Sequence, residues 1–264
     1  MSDDPLADLL ARNGFVAPDE EAAELRAAAG GDRARLDAMV ARRLTGEPLA
    51  WITRSVEFCG RAIRVDPGVY VPRWHTEALA WRAVARLPAD GVAIDLCTGC
   101  GAIAAVLKAE RPDARVLASD VDERAVACAR SNGVEAYAGD LFAPLPPVRA
   151  DVVAGVVPYV PTADLPLLQR DTFTFETALA YDGGDDGLAI LRRAVAGARE
   201  ALRPGGALLL EFGGRQADAL ALDGYTELTL VRDEEGDVRG IEATLVRGGA
   251  LEAVELDPYE AGQR

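Results

Sequence analysis

Residues 92–104, "VAIDLCTGCGAIA", concentrate the residue types and spacings that can do chemistry. Gly99 and Gly101 let the backbone turn sharply and approach a ligand, and the helix that follows offers unpaired N–H groups. Cys97 and Thr98 sit in the same turn. Nineteen residues after Gly101, Asp120 ends the next apolar run, with Val121 after it. A carboxylate there can accept both hydroxyls of a ribose. Asp140, followed by Leu141, ends a third run, where it could meet an adenine amino group. Glycines in a G-x-G-x-x-A pattern with a later Asp also match a dinucleotide fingerprint, a weak signal by itself. Asp95, four residues before Gly99, bears on that choice. A carboxylate beside the turn repels a pyrophosphate and suits a cation.

S-adenosylmethionine, with its sulfonium and amino group, is therefore the expected cofactor, and a nicotinamide dinucleotide is the distant alternative. Cys97 and Cys100 form a C-x-x-C, yet zinc needs four ligands, and the chain has one histidine, His75, and no second such pair. No metal is expected. The four cysteines (Cys59, Cys97, Cys100 and Cys128) suit free thiols in a reducing cytoplasm. Charge narrows the class further. With 28 Lys+Arg against 43 Asp+Glu the net charge is −15, and Lys108 is the one lysine, which excludes a basic nucleic-acid binder. The opening "MSDDPLADLL" lacks the apolar core of a secretion signal, and no apolar run is long enough to span a membrane. A cytoplasmic protein with no direct nucleic-acid or membrane partner is expected.

The elements that position these residues follow from periodicity. "DPLADLLAR" puts Leu6, Leu9 and Leu10 on one helical face, and "DEEAAELRAAAGG" stops at a glycine pair. "DRARLDAMVARRL" repeats Leu36, Met39, Val40 and Leu44 at helical spacing. Short β-like runs around Gly60 predict a hairpin connector. From about residue 75, runs such as "GVAIDL", "ARVLASD", "VEAYAGD", "ADVVAGVV" and "GALLLEFG" alternate with helical stretches, which predicts a parallel sheet covered on both faces. "YTELTLVRDEEGDVRGIEATLV" reads as an antiparallel pair closing that sheet, and "LDPYEAGQR" as a loose acidic tail.

Several separated motifs, in order, resemble the HemK-type N(5)-glutamine methyltransferases, which modify a glutamine of peptide chain release factors. They are "GEPLAWITRSVEFCGRAIRVDPGVYVPRWHTE", "AIDLCTGCGAIA", "VVPYVP", "FETALAYDGGDDGL" and "LRPGGALLLEFGGRQ", spread over nearly the whole chain. The resemblance implies an α/β fold: a Rossmann-like class I methyltransferase domain, with a mostly parallel seven-stranded sheet and an antiparallel C-terminal hairpin. It also implies a helical substrate-recognition domain over residues 1–54, a β-hairpin linker over 55–74 and the methyltransferase domain over 75–264. Asp95, Cys97, Thr98, Gly99, Gly101, Asp120, Val121, Asp140 and Leu141 would border the cofactor, with Arg73 and Thr76 of the Pro-Arg-x-x-Thr-Glu segment beside them. The family's catalytic Asn-Pro-Pro-Tyr segment corresponds to Val156, Val157, Pro158 and Tyr159, and its later glutamate to Glu176, all expected against substrate.

Departures from the family pattern carry information. Cys97 stands for the usual first glycine of the loop, and Trp74 and His75 stand for Pro and Glu. A lone rim histidine reads first as a bystander, with the role of base decided by geometry. In the family the Asn oxygen and the next carbonyl accept the two amide hydrogens, which fixes a poorly nucleophilic nitrogen in line with the methyl group. Val156 has no acceptor. The expected function is transfer of a methyl group to a protein glutamine amide. The alternatives are another protein or small-molecule acceptor, or a cofactor-binding protein that has lost glutamine activity.

Overall fold

A computed structural model of the chain describes residues 4–168 and 175–246. Four helices come first: α1 (Pro5–Arg12), α2 (Pro18–Ala29), α3 (Arg33–Arg43) and the short α4 (Leu49–Thr53). Asp4 and Asp32 cap α1 and α3 by accepting backbone N–H bonds, and Gly30 ends α2 in the left-handed region at φ +63°. Ala7, Leu10, Ala22, Leu25, Ala29, Met39 and Ile52 form a small core of their own. One expected core position is corrected here. Leu44, the C-cap of α3, is exposed; Arg43 is buried instead, its guanidinium donating to Glu21 at 2.6 and 2.9 Å.

The connector is the antiparallel pair β1 (Ser55–Phe58) and β2 (Arg61–Arg64), turning at Gly60. Beyond it lie α5 (Glu77–Arg86), β3 (Val92–Leu96), α6 (Ala102–Glu110), β4 (Arg115–Asp120), α7 (Glu123–Ser131), β5 (Glu135–Ala138) and β6 (Ala150–Val156). They are followed by α8 (Ala189–Ala201), β7 (Leu202–Glu211), β8 (Tyr225–Arg232) and β9 (Val238–Leu245). The sheet order is β5-β4-β3-β6-β7-β9-β8, parallel through β7, with β9 pairing antiparallel to both β7 and β8. It is the Rossmann-like class I methyltransferase arrangement that the sequence predicts. The tail from residue 247 lies outside the described residues.

Uninterrupted apolar runs form these strands because both faces are covered. Side chains alternate across a strand, so Ala93, Val152, Ala154 and Leu209 pack with α5, α6 and α7, while Ile94, Val153, Leu208 and Leu210 pack with α8. The chain leaves β3 outward to β4 and β5, then returns to β6 on the other side of β3. At such a reversal the loops beyond the strand ends diverge and leave a crevice. Lys108 near the end of α6 donates to the Gly133 carbonyl at 2.8 Å, tying that helix to the turn before β5. Among the described residues no helix is long and apolar enough to cross a membrane.

Candidate active site

The crevice at the carboxyl ends of β3, β4 and β6 is a cavity of about 1000 Å³, counted to its open mouth. Thr76, Asp95, Cys97, Thr98, Gly99, Asp120, Val121, Val156, Val157, Pro158 and Tyr159 line it, all residues expected at the site. At Gly99, φ is +57°, and a Cβ added there would meet nothing closer than Tyr70 at 4.0 Å, so the backbone itself faces open space. The Gly99 N–H donates to one Asp120 carboxylate oxygen and the Asp122 N–H to the other, both at 2.9 Å. Two backbone donors thus fix the Asp120 carboxylate, with lone pairs left over for a ligand.

Asp95 is buried at 1% exposure. Burial pushes its carboxyl up to about 7, against hydrogen bonds from the Thr98 hydroxyl at 2.6 Å and the Ala104 N–H at 3.2 Å. Burial also raises Asp120 and lifts the Cys97 and Cys100 thiols above their ordinary range. Asp95, Asp120 and Asp122 line the cavity, and among the described residues no Lys, Arg or His does. Such a pocket stabilises a cation and disfavours a pyrophosphate. The donor set therefore fits S-adenosylmethionine.

Other expected residues are not among those that line it. Asp140 is exposed and paired with Arg193 of α8. Leu141, at φ +47°, is packed into the core on the α8 side of the sheet. Gly101 precedes α6, where a side chain would meet Ala129 at 3.0 Å and Val134 at 3.1 Å. Arg73 donates to Glu176 at 2.8 Å and to the Tyr181 hydroxyl at 3.0 Å. Glu176, buried, also accepts from the Val71 N–H at 3.2 Å, and it lines a second cavity with Arg43 and Arg73.

Pro72, the proline of the Pro-Arg-x-x-Thr-Glu segment, and residues the sequence did not single out complete the wall. Phe58, Gly68, Val69, Tyr70 and Pro72 close it from the connector, and Thr177, Leu179, Ala180 and Tyr181 from the loop before α8. Trp51 of α4 donates its indole N–H to the Val69 carbonyl at 2.9 Å, anchoring that wall. The segment after β6 is clamped from behind. Gln216 donates to the Tyr159 carbonyl at 2.9 Å, and a Cβ at Gly187 would collide with the same carbonyl. A signal for these positions existed in "DPGVYVP" and "YDGGDDG", whose turn residues bring the chain back against the strand ends.

Beneath Tyr159 lies Glu211, the last residue of β7 and 1% exposed. It accepts from the Thr76 hydroxyl at 2.6 Å and lies 3.5 Å from the Tyr159 hydroxyl and 3.3 Å from His75 Nε2.

Known proteins resemble this chain. The family model described as the methyltransferase small domain matches residues 74–154. A release factor glutamine methyltransferase of Neisseria gonorrhoeae is 38% identical over 86% of this chain and 84% of its own length. One of Geobacter sulfurreducens is 36% identical over 75% of this chain and 73% of its own. A solved protein-(glutamine-N5) methyltransferase of Alicyclobacillus acidocaldarius is 24% identical, with a TM-score of 0.43, covering 70% of this chain and 99% of that one.

Proposed function

The chain belongs to the release factor glutamine methyltransferase family, and from that premise we propose that it methylates the side-chain amide of a glutamine in a peptide chain release factor. The observation that carries this reading is the acid-lined cavity, with no basic side chain among its described lining residues, opening directly onto Pro158 and Tyr159. When bound, S-adenosylmethionine supplies an electrophilic methyl group on a sulfonium. Asp120, held by the Gly99 and Asp122 N–H groups, accepts the ribose hydroxyls, and the Asp95 carboxylate offsets the positive charge. The backbone carbonyl of Val157 and the ring of Tyr159 hold the flat amide. Catalysis is then mostly positioning of a weak nucleophile. Residues 1–54 are assigned to recognition of the protein substrate, 55–74 to the linker and 75–264 to transfer.

Incubation with labelled cofactor and a release factor tests the proposal: label is expected on a glutamine of the factor, and an unlabelled factor removes that substrate. Val156 favours a second reading, an acceptor other than glutamine, because its side chain cannot accept an amide hydrogen. Val156→Asn discriminates between them. Restoring one positioned hydrogen bond is worth about 1–3 kcal/mol, so glutamine methylation should rise about 10-fold to 100-fold from a measurable parental rate. Activity that appears only in the variant assigns the parent a different acceptor.

A further inference from the structure

Val156 and Glu211 are paired residues of the parallel strands β6 and β7. Paired side chains project to the same face of a sheet, so the position without an acceptor has a carboxylate as its neighbour. One oxygen of Glu211 is occupied by the Thr76 hydroxyl at 2.6 Å. The other, Oε1, faces the Tyr159 hydroxyl at 3.5 Å and His75 Nε2 at 3.3 Å. His75 Nε2 neighbours Oε1 without hydrogen-bond geometry, whereas the Tyr159 hydroxyl donates to it, so Tyr159 is the hydrogen-bond donor to Oε1.

We propose that Glu211 is a positioning residue: it holds the Tyr159 hydroxyl as a donor, so that the phenolic oxygen accepts an N–H of the incoming amide, the role Val156 cannot fill. The inference rests on the functional reading above. A phenol has one hydrogen and two lone pairs; once the hydrogen is committed to Glu211, only acceptor capacity is left for the cavity that Tyr159 lines. Bonds at catalytic groups are commonly long before substrate binds and tighten afterwards. Burial and the charge of Glu211 raise the Tyr159 pKa, which keeps the hydroxyl protonated. The cations near that ring are engaged elsewhere, Arg239 with Asp233 and Asp237, and Arg73 with Glu176. As the N–C bond forms and the S–C bond breaks, the amide nitrogen loses one proton to water. Neither Tyr159 nor Glu211 changes protonation.

The test has two arms. In protein labelled with 13C at tyrosine Cζ, Glu211→Gln should shift the Tyr159 resonance, assigned by its disappearance in Tyr159→Phe. An unmoved resonance overturns the proposal without reference to activity. In single-turnover transfer to a glutamine peptide, Tyr159→Phe and Glu211→Gln should each lower the rate about 10-fold to 100-fold, with cofactor affinity unchanged. The double variant should be no slower than the slower single, whereas multiplied losses would show independent roles and overturn the coupling. If wild-type protein transfers nothing to glutamine, the functional reading falls and with it the role toward the amide; the resonance arm still decides whether Glu211 holds Tyr159.

Discussion

Asp95 shows how one buried carboxyl makes stability depend on pH. Burial lifts its pKa from 3.8 to about 7 in the ligand-free fold. Between those values the unfolded chain has released the proton and the folded chain keeps it, so the unfolded state binds fewer protons and stability falls as pH rises. Asp95→Asn removes the effect. The melting temperature of the variant should therefore gain on that of the wild type from about pH 4 to about 7 and level off above. A gap independent of pH would show that Asp95 is not the responsible group. Bound sulfonium opposes the effect by favouring the ionised form, so cofactor should bind wild type more tightly as pH rises through this window.

At the scale of elements, the pocket wall depends on helices distant in sequence. The indole N–H of Trp51 satisfies the Val69 carbonyl in a buried position, beside Gly68 and Tyr70 of the wall. Trp51→Phe leaves that carbonyl unpaired, at a cost of about 1–3 kcal/mol, and should also weaken cofactor binding. Denaturant titration and calorimetry measure the two effects, and intact cofactor affinity would break the link between α4 and the wall. Such long-range ties explain what the sequence did and did not disclose. The strands were legible because two-sided burial leaves continuous apolar runs, and Asp95 and Asp120 because they end such runs. Asp140 and Arg73 pointed to the cofactor by position, yet each met an opposite charge far along the chain, Arg193 and Glu176. Leu44 followed the helical period, but the Arg43–Glu21 pair took the buried place. The turn residues of "DPGVYVP" signal a reversal at residues 68–70, but not which strand ends the chain then covers.

For the molecule as a whole, one sheet is shared by two apolar layers. Leu208 and Leu209 are adjacent, fully buried and on opposite faces. Each change to alanine should cost about 2–5 kcal/mol, and both should lower the same unfolding transition, because either layer loses its support when the sheet opens. Two separate transitions by near- and far-ultraviolet circular dichroism would contradict that. The overall charge of −15 sits outside these layers and leaves association with a basic partner surface sensitive to salt.

The single lysine has a practical use. Lys108 is exposed in the last turn of a helix whose first turn lines the cavity through Ala102 and Ile103. Six residues of helix place it about 9 Å along the axis from Ala102, at about 1.5 Å per residue. An amine-reactive fluorophore at mildly alkaline pH would find one side-chain target on a rigid rod pointing at the site. Its emission could follow ligand arrival in real time, with no engineered attachment point.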